Sequence, residues 1–410
     1  MKIAILGGSF NPPHIGHLIL ADTVCTQLGY DKVLFIPVFN PPHKELRHAA
    51  SPKHRLEMVR KMAEEDNRFE AESCEIDRAG ISYTYDTVRF LEEKYKDVLT
   101  DKIGVIMGQN LAQDFGKWEH ANELADIAQL ILALRPTEIR NKAFENKAKG
   151  AYTHHENKFS IDHYPHLVLT NPEVAISSTD IRARVVHGDA WQYLVSRGVY
   201  DYIREQKLYG YGLFDRIQTF AKEHLTEKRY EHSRRVGETA EQMCRIYGED
   251  PFKGKLAGIA HDICKEIKGE DMLLLAEQDG RPITALEKGK LSLLHGRAAA
   301  VKLSQNFGVS DDDVLEAVAN HTFGGENLCN LAKIIFVADK IEPGRPQSTD
   351  AYRANLFSMP LDKMTLSVVQ ENIDYLNAKG KTVADVSLRF CEELKKSAEG
   401  ESADGSGDSV

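Results

Sequence analysis

Two histidines stand three residues apart just after a short apolar run near the N-terminus. Residues 2–6 read KIAIL and are followed at 7–17 by GGSFNPPHIGH, which contains His14 and His17. Glycines at the end of a strand let a phosphate approach backbone N–H groups, because they carry no Cβ. A helix beginning near His14 would direct its amides and the positive end of its dipole to the same place. The spacing therefore predicts a phosphate site in which two imidazoles on adjacent turns donate hydrogen bonds.

The stretch ISSTDIR at residues 176–182 predicts a second anion site. Ser177, Ser178 and Thr179 fall at the expected start of a helix, with Arg182 one turn further on. Hydroxyls, helix-terminal amides and a guanidinium together suit a phosphate. Two such sites at the carboxyl ends of strands in one sheet would hold a triphosphate across the crevice.

Histidines and aspartates in the second half of the chain occupy positions that helical periodicity assigns to the core. Unpaired polar groups are costly there, so we expect them to share a partner. A divalent transition metal is the simplest one, since Fe, Mn, Co, Ni and Zn accept imidazole and carboxylate ligands. Water activated by such a metal is a nucleophile at neutral pH. The candidates are His232, His261, Asp262, His295, His321 and Asp339.

The first half of the chain alternates short apolar runs with helical patterns. Helices are predicted at 14–29 and 51–65. The apolar runs are nearly continuous, which is typical of strands buried on both faces of a parallel sheet. We therefore predict an α/β doubly wound parallel sheet. The predicted strands are 2–6, 32–38, 102–108, 130–136 and 166–170.

After about residue 211 the pattern becomes helical throughout, which predicts an all-α second domain. We expect domains at 1–205 and 212–396, joined by a linker at 206–211. Residues 397–410 are acidic and poor in apolar side chains, so we predict a disordered tail. The predicted helices of the second domain are 228–248, 250–267, 283–306, 311–321, 327–341 and 364–378.

Composition narrows the classes of function. The formal net charge is −10, which argues against binding to nucleic acid or to a membrane surface. The six cysteines include no CxxC pair, as is typical of a reducing compartment. We find neither a signal peptide nor an apolar membrane span and expect a cytoplasmic protein. The sequence does not decide whether the chain forms a homo-oligomer.

The motif GxFNPPHxGH, followed by ISSTxIR, resembles the HxGH nucleotidyltransferases, and specifically the bacterial nicotinate-nucleotide adenylyltransferases. The resemblance spans residues 1–205. It implies a Rossmann-like nucleotidyltransferase domain that uses ATP and nicotinate mononucleotide, with Mg²⁺, to make nicotinate adenine dinucleotide and pyrophosphate. It also implies direct in-line attack on the α-phosphorus without a protein nucleophile.

The resemblance assigns roles to individual residues. His14, His17 and Arg182 would hold the phosphates of ATP during catalysis. The further substrate-binding residues that it implies are Gly7, Gly8 and Ser9 for the nucleotide, Ser177, Ser178 and Thr179 at the helix start in ISSTDIR, Lys44 for a phosphate, Thr84 and the Tyr85 amide for the pyridine carboxylate, Gly108 at the end of the strand predicted at 102–108, and Trp118 as the stacking partner of the pyridine ring.

One departure from the family pattern concerns the end of the strand predicted at 102–108. The family usually has Gly-x-Asp there, whereas this chain has Gly108, Gln109 and Asn110. We therefore expect the contact with ribose or adenine at this point to differ. Nicotinamide mononucleotide remains an alternative substrate.

The motifs YEHSRRV, AHDICKE, LLHGRAA, NHTFG and ADKIEPGR resemble those of HD-domain metal-dependent phosphohydrolases, in particular bacterial symmetrical diadenosine tetraphosphate hydrolases. This resemblance covers about 212–390 and implies iron-dependent cleavage of diadenosine tetraphosphate into two ADP, with another divalent transition metal as an alternative. The implied metal ligands are His232, His261, Asp262 and Asp339, with Asp262 also catalytic, while His295 and His321 would bind a second metal or substrate phosphates.

Two alternatives for the second domain stay open. It could hydrolyse another nucleotide or a phosphomonoester, or it could sense a nucleotide without hydrolysing it.

Overall fold

The computed structural model describes residues 1–40, 49–134, 160–172 and 174–404. The chain divides into two units, one comprising Met1–Tyr211 and the other beginning at Gly212. The segment 206–211, which we predicted as a linker, lies with the first unit. Tyr209 shows why, because its hydroxyl packs into that unit 2.8 Å from Asn11 Oδ1.

A six-stranded parallel sheet forms the centre of the first unit, which confirms the predicted doubly wound α/β fold. Its strand order is β3-β2-β1-β4-β5-β6. The short third strand was missed in the sequence, because three residues are too few to show a pattern. The strands are β1 (Ile3–Gly8), β2 (Lys32–Pro37), β3 (Phe69–Ala71), β4 (Gly104–Gly108), β5 (Gln129–Leu134) and β6 (His166–Thr170).

Helices cover both faces of this sheet. Alternate residues of β1 point to opposite faces: Ala4 and Leu6 join one buried apolar cluster, and Ile3 and Ile5 join the other. This explains the continuous apolar runs in the sequence. The helices are α1 (Ile15–Leu28), α2 (Pro52–Ala63), α3 (Cys74–Arg78), α4 (Thr84–Lys94), α5 (Gln109–Gln113), α6 (Ala121–Ile127), α7 (Ser178–His187) and α8 (Arg197–Glu205).

The strand order reverses next to β1, and this places a crevice at the carboxyl end of the sheet. The chain runs from β1 outwards to β2 and β3, and then returns to add β4 on the other side of β1. The connections after β1 and β4 therefore diverge to opposite sides. Ligands of open α/β sheets bind at such a switch point. Gly8 and Gly108, the last residues of β1 and β4, lie at this edge.

The second unit contains only helices and turns among its described residues. Its helices are α9 (Leu213–His224), α10 (Glu227–Tyr247), α11 (Pro251–Ala260), α12 (Gly269–Ala276), α13 (Ala285–Gly289), α14 (His295–Phe307), α15 (Asp312–Asn320), α16 (Asn330–Ile341), α17 (Asp350–Phe357), α18 (Leu361–Ala378) and α19 (Asp385–Asp404).

Glycines let α10 and α11 approach each other closely. A Cβ on Gly258 would stand 2.5 Å from the Gly237 Cα, and one on Gly237 would stand 3.0 Å from the Lys255 carbonyl oxygen. Side chains at either glycine would force the helices apart. This close crossing fixes the separation of His232 on α10 from His261 at the end of α11.

Two predicted helices are shorter or broken in the structure. The helix predicted at 250–267 ends at Ala260. The one predicted at 283–306 is interrupted after Gly289, where a 3-10 turn at Leu291–Leu294 precedes α14. In both places a histidine follows the break, and its ring nitrogen bonds a carbonyl of the turn before it. Periodicity alone does not report such a local competition for carbonyls.

The segment predicted as a disordered tail differs in part from the structure. Helix α19 continues through 397–404. Its packed part includes Phe390 and Leu394, and Ser397 Oγ donates to Asp362 Oδ2 at 2.9 Å. Extending an existing helix costs little compared with nucleating one, which accounts for the added turns. The rest of the predicted tail, 405–410, lies outside the described residues.

No helix within the described ranges is both long enough and apolar enough to cross a membrane.

Candidate active sites

The histidine pair of the first unit lies at the start of α1. The ring centroids of His14 and His17 are 3.8 Å apart, and the backbone N–H of His14 donates to His17 Nδ1 at 3.0 Å. Because Nδ1 accepts this bond, the hydrogen of a neutral His17 ring is on Nε2. His17 therefore offers an N–H donor on the side away from the backbone, as the predicted phosphate site requires.

Burial keeps both rings uncharged at neutral pH. Burial lowers the pKa of His14 to about 4. Burial and the adjacent His14 hold the pKa of His17 well below its usual range. The His14 Nδ1 atom is buried and has no hydrogen-bond partner. The pair can therefore bind an anion through directed N–H donors rather than through fixed positive charge.

Helix α7 is attached to the loop that follows β1. Ser178 Oγ donates to the Pro12 carbonyl at 2.7 Å, and Arg182 Nη1 donates to the Asn11 carbonyl at 2.7 Å. Ser177 caps the helix by accepting from Asp180 N, and Arg182 Nη2 lies 3.2 Å from Thr179 Oγ1. The structure thus brings the two predicted anion motifs together, although Pro12 and Ser178 are 166 residues apart in sequence.

Three residues that the sequence analysis did not select as site residues hold this loop in place. Arg55 is 1% exposed and donates to the carbonyls of Ser9 (3.0 Å) and Val38 (2.6 Å). The buried Asn11 accepts at Oδ1 from Tyr209. Arg55, Asn11 and Tyr209 carry no local pattern that marks them for this task, since each acts through a long-range contact.

The predicted pyridine-binding residues lie on neighbouring elements. Thr84 and Tyr85 are the first two residues of α4, and both are half-buried. The Tyr85 ring lies 4.9 Å from that of His120, two residues beyond Trp118. Trp118 is packed against Phe115, with ring centroids 5.3 Å apart. The free amides in the first turn of α4 therefore lie in the same region as this aromatic group.

The glycines at the ends of β1 and β4 leave space. A Cβ on Gly7 or on Gly108 would meet no atom within 4 Å, while one on Gly8 would reach the Phe10 ring at 3.4 Å.

A bridge between Asn40 and Ile81 links the end of the β2 segment to the residues before α4. Lys44, predicted to bind a phosphate, lies outside the described residues.

In the second unit, three histidines share one arrangement. The Nδ1 atoms of His261, His295 and His321 lie 2.7–2.8 Å from the backbone carbonyls three residues earlier. A carbonyl only accepts, so each Nδ1 carries the hydrogen and each Nε2 presents a lone pair. This is the arrangement in which metal-binding histidines are usually held.

These Nε2 atoms converge on one buried point. His295 Nε2 and His321 Nε2 are 2.9 Å apart, and Asp262 Oδ1 is 3.0 Å from His295 Nε2. His261 Nε2 is buried without a hydrogen-bond partner. Lone pairs at these separations repel one another. Lys265 Nζ donates to that of His295 at 2.7 Å, whereas that of His261 has no donor. The donor set therefore fits a divalent transition metal.

A second triad shares His261. His232 Nε2 lies 3.0 Å from Asp339 Oδ1, and His261 Nε2 is 3.8 Å from the same oxygen. Candidate ligand atoms of His232, His261 and Asp339 lie within 4.8 Å of one another, as do those of His261, Asp262 and His321. The six predicted residues thus form one cluster, in which His261 is shared by the two sides.

Cationic side chains border this cluster. Lys265 Nζ donates to His295 Nε2 at 2.7 Å, Lys340 Nζ lies 3.2 Å from Asp339 Oδ2, and Arg345 Nη2 donates to Asp339 Oδ1 at 2.8 Å. Such cations suit a polyanionic substrate.

The carboxylates are ionised despite their burial. Burial opposes ionisation of Asp262, yet the pKa of Asp262 lies well below its usual range, and the cation beside this carboxylate is Lys265, whose Nζ is 3.3 Å from Oδ1. Burial likewise opposes ionisation of Asp339, but Lys340 and His232 hold its pKa well below the usual range. Both aspartates can therefore act as anionic ligands at neutral pH.

Sequence comparison places both units among known families. The family model described as cytidylyltransferase-like matches residues 5–184, and the HD domain model matches residues 229–344. The chain is 33% identical over 209 residues to a probable nicotinate-nucleotide adenylyltransferase of Borreliella afzelii, covering 51% of this chain and 97% of the relative. Its N-terminal half belongs to the nicotinate-nucleotide adenylyltransferase family.

A probable nicotinate-nucleotide adenylyltransferase of Treponema pallidum is 35% identical over 209 residues, with 51% of this chain and 99% of the relative covered. Among solved structures, a predicted HD superfamily hydrolase involved in NAD metabolism from Clostridium acetobutylicum is 32% identical over 45% of this chain and 97% of that chain, with a TM-score of 0.42. Plasmodium falciparum nicotinic acid mononucleotide adenylyltransferase is 17% identical over 52% of this chain and 98% of that chain, with a TM-score of 0.39.

Proposed function

We propose that the first unit transfers AMP from ATP to nicotinate mononucleotide, giving nicotinate adenine dinucleotide and pyrophosphate. The observation that carries this proposal is the anion site at the switch point of the sheet. There the His17 Nε2–H donor, the glycine end of β1 and Arg182 on α7 meet at one loop. The curated relatives that match this unit are named as probable nicotinate-nucleotide adenylyltransferases.

In this proposal an oxygen of the mononucleotide phosphate attacks the α-phosphorus of ATP. The new bond is O–Pα, and the bond from Pα to the bridging oxygen breaks as pyrophosphate leaves. No protein side chain forms a covalent intermediate. His14 and His17 would stabilise the charge on the phosphates through N–H donors, and the loop contacts of Arg182 and Asn11 would hold the donors in place.

Mg²⁺ would enter with ATP, and bound there it would neutralise phosphate charge. Within the described part of the first unit, no group of three His, Cys, Asp or Glu side chains converges as a metal site. Magnesium commonly binds through substrate phosphates and water rather than through an all-protein cage. The chain's own contribution would be to orient the phosphates.

The start of α4 favours the acid mononucleotide over the amide. A pyridine carboxylate is an anion, and amides at a helix N-terminus attract anions. Thr84 and Tyr85 occupy that position, with Trp118 on a neighbouring element. The nicotinamide group carries no such charge, and nicotinamide mononucleotide is the alternative substrate.

Paired assays with the two mononucleotides test this function. The purified chain is incubated with ATP, Mg²⁺ and either nicotinate or nicotinamide mononucleotide, and the dinucleotide is measured by chromatography. We expect the acid to give the higher kcat/KM. Equal or better use of the amide would overturn the substrate assignment, and no dinucleotide from either would overturn the activity.

For the second unit we propose metal-dependent hydrolysis of diadenosine tetraphosphate to two ADP. The observation that carries this proposal is the convergence of imidazole lone pairs and ionised aspartates beside Lys265, Lys340 and Arg345. His232, His261, Asp262 and Asp339 would hold the metal, for which iron is our first choice. A divalent metal bound there would lower the pKa of its bound water and neutralise negative charge around the phosphorus.

The chain's residues have separate tasks in this hydrolysis. One water is consumed: its oxygen bonds one of the two central phosphorus atoms, and the oxygen that bridged them leaves with the other ADP. His295 and His321 lie beside Lys265, where they can bind a second metal or the substrate phosphates. Lys340 and Arg345 would hold Asp339 and face the polyphosphate.

A substrate panel distinguishes this activity from its alternatives. The chain is supplied with Fe²⁺, Mn²⁺ or Co²⁺ and assayed against diadenosine tetraphosphate, mononucleotides and a phosphomonoester. Asp262→Asn should abolish hydrolysis, whereas Asp279→Asn, which alters an aspartate paired with Arg297 outside the cluster, should preserve it. Faster hydrolysis of another nucleotide would make that nucleotide the substrate in place of diadenosine tetraphosphate. Nucleotide binding without hydrolysis would favour the alternative in which this unit senses a nucleotide.

A further inference from the structure

A buried glutamate lies behind one of the metal-ligand candidates. Glu342, directly after α16, is 2% exposed. Its Oε1 lies 3.0 Å from His232 Nδ1, while its Oε2 accepts from Gly344 N at 2.6 Å and from the Arg235 guanidinium. Three partners on two segments of the chain thus hold this carboxylate in one orientation.

His232 differs from the other three histidines in its position on a helix. His261 and His321 follow the last residues of their helices and His295 begins one, so each ring can reach a carbonyl three residues earlier. His232 is the sixth residue of the 21-residue helix α10, where the carbonyls before it serve the helix. Its Nδ1 therefore needs an acceptor from elsewhere, and Glu342 supplies it from 110 residues away.

The carboxylate decides which nitrogen of His232 faces the cluster. Two carboxylates face this ring, Glu342 at Nδ1 and Asp339 at Nε2, each 3.0 Å away. A carboxylate only accepts, so Glu342 retains the hydrogen on Nδ1, whereas a cation held with Asp339 would take the place of the one on Nε2. A hydrogen bond to a carboxylate also makes the other nitrogen a better electron donor.

We propose that Glu342 is a positioning residue, which fixes the ring of His232 with Nε2 towards the cluster and thereby raises the affinity of the second unit for a divalent cation. Arg235 and Gly344 complete this support. The inference rests on the proposed metal site, but not on the identity of the substrate.

Gly344 offers a way to disturb Glu342 without altering it. A Cβ at position 344 would stand 2.7 Å from Arg235 Nε, so the guanidinium would have to move away from Glu342. Gly344 does not have a positive φ, which leaves this steric effect as the main consequence of Gly344→Ala.

Cobalt titration of the metal-free chain tests the proposal independently of catalysis. Co²⁺ binding is followed by its visible absorption in the wild type, Glu342→Ala, Glu342→Gln and Gly344→Ala. We expect Glu342→Ala to weaken Co²⁺ affinity about 10- to 100-fold. Glu342→Gln, which retains an acceptor oxygen but loses the charge, should have a smaller effect, and Gly344→Ala a smaller one again.

Two controls separate positioning from general damage. Glu287→Gln changes a similarly buried glutamate that pairs with Arg297, and should leave Co²⁺ affinity unchanged. In a His232→Ala background, Glu342→Ala should add almost nothing, because the residue acts through that ring. If Glu342→Ala fails to fold, as judged by circular dichroism, the Gln and Gly344 variants decide the result.

Wild-type Co²⁺ affinity in folded Glu342 variants, or a full effect of Glu342→Ala without His232, would overturn the inference. A wild type that binds no Co²⁺ would overturn it together with the metal site. A wild type that binds Co²⁺ but does not cleave diadenosine tetraphosphate would overturn only the proposed hydrolysis.

Discussion

Both units contain clustered histidines, but the two clusters present opposite atoms to a ligand. In the first unit a backbone N–H donates to His17 Nδ1, so Nε2 carries the hydrogen and is a donor. In the second unit backbone carbonyls accept from Nδ1 of His261, His295 and His321, so their Nε2 atoms present lone pairs. The backbone group beside Nδ1 thus decides whether an imidazole suits an anion or a cation.

The groups around the two clusters also favour ligands of opposite charge. Around the first, carbonyls are occupied by Arg55 and Arg182, which leaves N–H groups available. Around the second, ionised Asp262 and Asp339 add negative charge next to the lone pairs. One residue type is therefore suited to phosphate binding in one unit and to metal binding in the other.

Metal removal should produce the largest difference between the activities of the two units. After dialysis against a chelator, Mg²⁺ alone should restore dinucleotide synthesis but not hydrolysis, because imidazole-rich sites favour transition metals over Mg²⁺. Adding Fe²⁺, Mn²⁺ or Co²⁺ should then restore hydrolysis. Full recovery of hydrolysis with Mg²⁺ would contradict the difference in ligand chemistry between the units.

Replacement of the donor histidine should affect only the first unit. His17→Ala removes the Nε2–H donor, and kcat for dinucleotide synthesis should fall about 10²- to 10³-fold, as for other preorganised donors. Hydrolysis by the same preparation should be unchanged. His54→Ala is the matched control, since His54 bonds Tyr202 on the same unit. A comparable loss in that control would indicate general destabilisation.

Removal of one supporting hydroxyl should have a smaller effect. Tyr209→Phe deletes the hydrogen bond to Asn11 Oδ1, although Ala50 N still donates to that oxygen. One hydrogen bond contributes about 1 kcal/mol, so kcat/KM for ATP should fall roughly 5-fold. Tyr202→Phe, which deletes a hydroxyl contact to His54, should preserve kcat/KM. Equal losses of kcat/KM in Tyr209→Phe and Tyr202→Phe would contradict a specific role of the Tyr209 hydroxyl in holding the loop after β1.

A further expected effect concerns the pH dependence of stability. The pKa of His14 is about 4 in the folded chain, against 6.5 for a histidine exposed to water. The unfolded chain therefore binds more protons between these values, and this contribution to stability is present above pH 6.5 and is lost as the pH falls towards 4. The melting temperature of the first unit, recognised as the transition that ATP shifts upwards, should fall as the pH is lowered from 6.5 towards 4. His14→Gln should reduce the slope, and an unchanged slope would contradict the assignment.

Local patterns predicted most of the elements, and they singled out candidate residues whose roles stay predictions. The apolar runs predicted five of the six strands. Of these, β1, β2, β4 and β5 are largely buried between layers of helices, whereas β6, at the edge of the sheet, is mostly exposed. The helical register placed His232 and Asp339 on apolar stripes. Patterns failed where a side chain competes with the backbone. The helices end at Ala260 and Gly289, and after each end a histidine, His261 or His295, bonds a nearby carbonyl through its ring, which no periodicity reports.

Supporting residues were harder to predict than ligands. Glu342 is part of the motif ADKIEPGR, yet nothing in that motif indicates that it bonds His232. Tyr209 lies in a segment whose glycines are typical of a linker, but its hydroxyl is bonded to the loop after β1. In both cases the decisive contact joins residues that are far apart in the chain.

The order of the two units, the parallel sheet and the types of donor available to each site follow from the residues alone. They do so because burial repeats with the period of a strand or a helix, and because glycines and histidines restrict the chemistry at short range. Which nitrogen of each imidazole faces a ligand is a property of the folded chain. That choice depends on the backbone or carboxylate group that packing brings against the ring, in one case from 110 residues away.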